Sequence, residues 1–319
     1  DCNDEDAEST VLADDADCDG TITADDCDDT QANINPDAIE TCGDSADNDC
    51  DGEIDNSVYC NYTPENLELI DNEGGYPGQE YVGSVGDLNG DGQDDVGYTA
   101  FFDNTDAGKL EIYFGPATNL TEGQAPDVTI LGVSGTYLGD DVAAGNQLLG
   151  QPGDITNDNQ DDLAISGWRA DEDVNGSVVS NSGVVYVIEG PLSSGTVLDM
   201  SNPDDYSSKI TGTETYFAFG SKIEMGGDLN GDGLNDLVAA SSGRNDGEGA
   251  FHVLYGPLND LGDTDIEELM LTEEALTVLP PADASPHEFA SRGLAYLGDV
   301  NGDLAPDLAV ADFKGGGYG

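Results

Sequence analysis

Fourteen nearly identical residues recur four times along this 319-residue chain, and each copy joins a loop rich in Asp and Asn to a short apolar strand. The copies are GDLNGDGQDDVGYT from Gly86, GDITNDNQDDLAIS from Gly153, GDLNGDGLNDLVAA from Gly227 and GDVNGDLAPDLAVA from Gly298. Their first aspartates, Asp87, Asp154, Asp228 and Asp299, are spaced by 67, 74 and 71 residues. A near-constant step of this size means a repeat architecture, in which each unit stacks on its neighbours. Within each copy, oxygen-bearing side chains stand at loop positions 1, 3, 5 and 9. That alternation is how a tight turn aims several oxygens at one hard cation, and it predicts calcium.

The pattern resembles the FG-GAP repeats of integrin-α-like β-propellers, whose blades carry a D-x-[DN]-x-D-G-x-x-D loop between two strands. The resemblance implies side-chain ligands at positions 1, 3, 5 and 9 and a backbone carbonyl at position 7. Carried over, the first loop offers Asp87, Asn89, Asp91, the carbonyl of Gln93, and Asp95. The third offers Asp228, Asn230, Asp232, the carbonyl of Leu234, and Asp236. Both keep glycine at position 6, Gly92 and Gly233, where the chain needs a positive φ. The second loop offers Asp154, Thr156, Asp158, the carbonyl of Gln160, and Asp162, with Asn159 at position 6. Asn tolerates the left-handed region and Thr brings one neutral oxygen, so a weaker site is expected. The fourth keeps Asp299, Asn301, Asp303, the carbonyl of Ala305, and Asp307, but places Leu304 at position 6 and Pro306 at position 8. A leucine at positive φ is strained, so this loop is expected to empty first.

Between the loops a second cue recurs: KLEIYFGP ending at Pro116, VVYVIEGP ending at Pro191 and AFHVLYGP ending at Pro257. These read as apolar strands stopped by Gly-Pro. Each unit is therefore loop, strand, turn, strand and a long acidic connection, with one helical turn or strand edge around DIEELMLTEEAL from Asp265. The expected fold is all-β: propeller-type FG-GAP blades over residues 61–319, incomplete in this chain. After the fourth loop only one strand, DLAVADF, is written, so we expect a longer protein or a second chain to complete the open edge.

Residues 1–60 are a different object, for all six cysteines lie there, at positions 2, 18, 27, 42, 50 and 60. An even count this dense predicts a disulfide framework and an oxidising, extracellular setting. Zinc is the competing reading, but no C-x-x-C is present and His252 and His287 are far away in sequence. The segment from Asp26 to Asp55 resembles the metal-binding repeat of MopE-like bacterial surface proteins, and Asp1 to Gly20 reads as a shortened copy. Fifteen cysteine pairings are possible. If each copy closes on itself, the pairs are Cys2–Cys18 and Cys27–Cys50, leaving Cys42–Cys60. Two further calcium loops can be read here. Asp15, Asp17, Asp19, Thr21 and Asp26 hold positions 1, 3, 5, 7 and 12 of an EF-hand-like loop. Asp47, Asp49, Asp51, the carbonyl of Glu53, and Asp55 repeat the nine-residue grammar. Copper capture, known for some MopE-like proteins, would want His or soft ligands near these carboxylates, and none is there.

Charge narrows the function. Against 68 acidic residues stand 7 basic ones, a formal net charge of −61, and the first basic residue is Lys109. Such a field repels nucleic acid. Disorder is countered by 37% hydrophobic residues gathered in the repeated strands. No stretch approaches a membrane span, and the chain starts at Asp, as a mature or trimmed segment would. N-x-S/T triplets stand at Asn61, Asn119 and Asn175, fitting surface exposure. No G-x-S-x-G or H-E-x-x-H motif suggests an enzyme, and paired carboxylates are too common here to mark a catalytic pair. His252, in a strand, reads as a sheet residue and Trp168 as core or rim packing. The expected function is a calcium-stabilised extracellular structural or adhesive surface protein, assembling as a homo-oligomer or polymer, with a carbohydrate or surface protein as ligand. The alternative is a carbohydrate-binding or accessory segment of a secreted hydrolase.

Overall fold

The computed structural model describes residues 15–18, 21–24, 26–28, 30–32, 34–36, 47–48, 50, 82–99, 106–115, 124–139, 142–143, 153–174, 176–244, 248–280, 287–302 and 305–314. The chain divides into two compact units, Asp1–Leu69 with Thr118–Glu122, and Ile70–Ala117 with Gly123–Gly319. In the smaller, Cys27 and Cys50 form a disulfide with their Cα atoms 5.9 Å apart. Cys18 is also disulfide-bonded, to a partner outside the described residues. Cys2, Cys42 and Cys60 lie outside them too, as do the three N-x-S/T asparagines.

The larger unit is almost wholly sheet. Its first blade is β1 (Val82–Ser84), β2 (Val96–Thr99), β3 (Lys109–Tyr113) and β4 (Val128–Leu131), paired antiparallel in that order. The second uses β5 (Val142–Ala143) and β6 (Leu163–Gly167); a small hairpin, β7 (Glu172–Val174) and β8 (Ser177–Val179), precedes its third strand β9 (Val184–Ile188). Then β10 (Thr196–Asp199) leaves the blade before β11 (Ser208–Thr211) returns as its fourth strand. In the third, β12 (Phe219–Gly227), β13 (Asp236–Ser241) and β14 (Ala250–Leu254) are followed by β15 (Gly262–Asp265), helix α1 (Ile266–Leu271) and β16 (Ala275–Val278). The fourth blade contributes the hairpin of β17 (His287–Gly298) and β18 (Asp307–Lys314). No closed barrel is formed by these sheets.

The Gly-Pro strands of the second and third blades are buried on both faces rather than one, because each of these blades lies between two others. Along β9, Val184, Tyr186 and Ile188 enter a core shared with β3 and β4, while Val185 and Val187 enter a second core shared with β12 and β13. Along β13, Leu237 and Ala239 join that second core, and Val238 and Ala240 a third, with Leu294 of β17. Two-sided burial replaces the polar-apolar alternation of a half-exposed sheet with continuous apolar runs.

The acidic connections are not plain loops. β10, from the second blade's connection, pairs parallel with β4 of the first; β15, from the third blade's, pairs parallel with β11 of the second. Each of these two blades thus gains a fifth strand from its successor. The ambiguous segment from Asp265 resolves into both alternatives. The Asp265 carboxylate caps α1 by accepting from the Glu268 amide at 2.9 Å, and Ala275–Val278 then forms β16.

Candidate metal centre

In loops 1 to 3 the chain wraps around the carboxylate at position 1. Asp87 accepts from the amides of Asp91 at 3.0 Å and Gly92 at 2.8 Å. Asp154 accepts from Asn157, Asp158 and Asn159 at 2.5, 3.1 and 2.8 Å. Asp228 accepts from Gly231, Asp232 and Gly233 at 2.5, 2.9 and 2.7 Å. Positions 3 and 5 repeat the device one step on: Asn89 and Asn230 accept from the position-5 amides at 2.8 and 2.9 Å. Asp91, Asp158 and Asp232 accept from the position-7 amides at 3.0, 2.8 and 2.9 Å. Such Asx turns wind the backbone about a common centre and turn the side-chain oxygens inward. Position 6 is left-handed throughout, with φ of +89° at Gly92, +94° at Gly233 and +67° at Asn159. Asn159 is a residue that tolerates this region.

Position 9 ties each loop to its blade. Asp95, Asp162 and Asp236 are fully buried. One oxygen of each accepts from the position-2 amide, Leu88 at 3.0 Å, Ile155 at 2.9 Å and Leu229 at 2.8 Å. The other accepts from the glycine of the following Gly-Pro turn: Gly115 at 2.8 Å, Gly190 at 3.3 Å and Gly256 at 3.1 Å. The Gly-Pro cue therefore does more than stop a strand, because its glycine amide anchors the loop's last carboxylate.

The donor set fits a hard divalent cation on three grounds. A hydrogen-bonded carboxylate oxygen keeps a further lone pair for a metal. Burial also pushes both Asp95 and Asp236 up to about 6, and the neighbouring carboxylates add to it, Asp87 and Asp91 at the first and Asp232 and Asp228 at the second. At position 3 of loop 2, the buried Thr156 hydroxyl lies beside the Asp162 carboxylate and brings a neutral oxygen to the site.

Loop 4 keeps part of this pattern. Asp299 accepts from Gly302 at 2.6 Å and Asp307 from Val300 at 2.9 Å, matching positions 1 and 9 elsewhere. Yet the Asn301 amide group donates to Asp307 at 3.1 Å, a contact the other loops do not make. Asp303 and Leu304 lie outside the described residues, and Ala305 is exposed. In the smaller unit, Asp15 is fully buried and accepts from the Cys18 amide at 2.6 Å. The Asp26 amide donates to the Ile22 carbonyl at 3.1 Å, and one buried Asp26 oxygen makes no hydrogen bond, as expected of a position-12 ligand. Asp17, Thr21 and Asp47 are described, whereas Asp19, Asp49, Asp51, Glu53 and Asp55 are not. Asp26 also lies within 4.8 Å of the Cys27 and Cys50 sulfurs, but these are joined in a disulfide and offer no thiolate.

His252 and Trp168 have packing roles. His252 is fully buried, shares hydrogen bonds of 2.8 Å with Ser241 and Thr277, and packs against the rings of Phe217 and Phe219. Burial pushes it down to about 3, so it stays neutral. Half-buried Trp168 is covered by the Arg169 guanidinium, 4.5 Å from its ring centroid.

The raised carboxylates make a pH prediction for the metal-free protein. Burial holds Asp162 up to about 7, against the Thr156 hydroxyl and the backbone donors Ile155, Thr156 and Gly190, and Asp95 and Asp236 at about 6. Their unfolded values are near 4, so the metal-free fold binds extra protons and loses stability as pH rises through 6 to 7. His252 acts in the opposite sense only below about pH 6.5, its unfolded value. With a chelator present, the melting temperature should fall from pH 6.5 to 8. Calcium, which needs the ionised carboxylates, should flatten or reverse that slope. A chelated melting temperature that climbs over the same range would contradict the assignment.

Comparison with known proteins agrees with this geometry. The FG-GAP repeat model matches residues 219–254, the stretch from β12 through loop 3 to β14. A second family, Cu-binding MopE, described as "Putative metal-binding motif", matches residues 1–10 and 26–56. Integrin alpha pat-2 of Caenorhabditis elegans is 26% identical over 245 residues, which cover 74% of this chain and 18% of that relative. The chain thus carries a stretch that matches an FG-GAP repeat and a MopE-like metal-binding motif, is similar to an integrin alpha, and spans less than a fifth of that relative's length.

Proposed function

We propose that this protein is a non-catalytic, calcium-stabilised adhesive or structural protein of an extracellular surface, working as an assembly of copies. The observation that carries the reading is the threefold recurrence of one loop geometry, each copy gathering buried and half-buried carboxylates against the start of a core strand. Calcium held by positions 1, 3, 5, 7 and 9 would neutralise each loop and fix the strand that follows it. The integrin-like similarity, the disulfides and the strongly acidic chain all suit a calcium-rich, oxidising exterior. Among the described residues no helix is long and apolar enough to cross a membrane.

Assembly is supported by the sheet edges. β4 and β11 each carry a fifth, parallel strand, whereas β16 and β18 are paired on one side only among the described residues. Leu276 of β16 pairs with Val253 as Val128 pairs with Ile112 and Ser208 with Val187. Val128 and Ser208 are fully buried beside their fifth strands, and Leu276 is 49% exposed. By the pattern of the first two blades, the strand that covers β16 comes from the connection of a following blade, and a second copy could supply such a strand as well. With a net charge of −61 the copies repel, so association depends on calcium between acidic surfaces as well as on strand pairing. Natively purified material should therefore show higher-order particles or filaments at millimolar calcium and loosen on chelation, read by light scattering and electron microscopy. Monodisperse monomers at millimolar calcium would overturn the assembly reading.

A further inference from the structure

The three well-built loops are joined to one another through residues that are not ligands. Asp161, at position 8 of loop 2, accepts from the amide of Asp87, position 1 of loop 1, at 3.0 Å. Its other oxygen accepts from Gly153 at the start of its own loop, also at 3.0 Å. Asn235, at position 8 of loop 3, donates its side-chain amide to the carbonyl of Asp154, position 1 of loop 2, at 3.0 Å.

A second set of bonds runs in parallel. The Leu192 amide, just after one Gly-Pro turn, donates to the carbonyl of Leu88 in loop 1 at 2.6 Å, and Leu258, after the next, donates to Ile155 in loop 2 at 2.8 Å. The glycines of these same turns, Gly190 and Gly256, are held by Asp162 and Asp236 of loops 2 and 3. A ligand of one loop thus fixes the turn that holds position 2 of the preceding loop. Loop 4 departs from the pattern. Its position 8 is Pro306, which has no polar side chain, and the nearby contact to loop 3 is the ring of Tyr296 against Gly227, where a Cβ would lie 2.1 Å from the Tyr296 hydroxyl.

We propose that Asp161 and Asn235 are positioning residues that couple loops 1, 2 and 3, so that calcium in one loop raises the affinity of the next and the three fill cooperatively. The inference rests on the calcium reading above. A cation that orders loop 3 fixes Asn235 and the Gly256 turn, and with them the backbone from which Asp154 presents its carboxylate; preordering loop 2 in this way lowers the cost of its own binding. Linkage makes the effect mutual.

Asn235→Ala is the informative substitution because it removes the side-chain link, the one proposed to carry the coupling, while leaving the Leu258–Ile155 backbone bond, the charge and every ligand in place. The experiment is a calcium titration of the full chain by NMR, following the loop 2 amides of Asn159 and Gln160, in the wild type, Asp232→Ala, Asn235→Ala and the double variant. Disabling loop 3 with Asp232→Ala should weaken loop 2 by about fivefold or more, the usual lower range of such couplings. In the Asn235→Ala background the same change should shift loop 2 by less than about twofold, a loss of coupling that general destabilisation would not give. Asn235→Asp, the same size without the donor, should behave like Asn235→Ala and guards against a folding defect in either. Loop 2 affinity that ignores Asp232→Ala in the wild-type background, or coupling that survives both substitutions, overturns the proposal while leaving calcium binding intact. Absence of any calcium-dependent shift in the wild type overturns the calcium reading itself, and the coupling with it.

Discussion

Excess EDTA should lower the melting temperature of this protein by roughly 15–30 °C relative to millimolar calcium. At a free concentration a hundredfold above Kd, each site present only in the native state adds about 2.7 kcal/mol, and three add about 8 kcal/mol. A unit of this size shifts by about 2–4 °C per kcal/mol. The physical source is plain in the loops: burial and the nearby charges of Asp232 and Asp228 hold the Asp236 carboxyl well above its ordinary range, and a divalent ion offsets both. Magnesium should restore little of the loss, since it demands stricter octahedral geometry and keeps its waters. Differential scanning calorimetry reads the effect directly, and an unchanged melt in EDTA would mean that the loops are stable without metal.

The second large effect should come from Asp236→Ala. This carboxylate is fully buried and satisfies the amides of Leu229 and Gly256. Its removal strands both donors, at about 1–3 kcal/mol each, even in the absence of calcium. Asp228→Ala should follow, through the loss of three loop amide bonds and a ligand. Asp299→Ala should cost under about 1 kcal/mol, because Asp299 is exposed in a loop with proline at position 8. Urea unfolding of the three variants gives the order. Equal losses for Asp228→Ala and Asp299→Ala would mean that loop 4 is built as well as loop 3.

The loops were legible in the sequence because their chemistry is local. Alternating Asp and Asn, and a residue at position 6 that accepts positive φ, specify an Asx-rich turn with little help from elsewhere; Asn159 at φ +67° shows how the tolerance argument held where glycine was missing. The strands before each Gly-Pro were legible by their apolar content, although their two-sided burial was not, since a sequence does not say how many neighbours a blade has. β15 was invisible for a different reason. Its residues GDTD carry no apolar pattern, and it pairs through its backbone with a blade formed earlier in the chain. The same holds for Asp161 and Asn235, which look like two more polar residues in a polar loop until the preceding loop is brought against them. The pairing of Cys27 with Cys50 was one consequence of letting each N-terminal copy close on itself, an assumption that spacing alone did not compel.

The central claim is that loops 1 to 3 each hold a calcium ion, and the most direct test is a count. Equilibrium dialysis of the purified chain against buffered micromolar to millimolar calcium, with metal determined by mass spectrometry, should give at least three tightly held calcium ions per chain. Asp91→Ala or Asp232→Ala should each lower the saturated count by one. No calcium retained above the diffuse atmosphere of an acidic protein, or a count that neither substitution changes, would contradict the account.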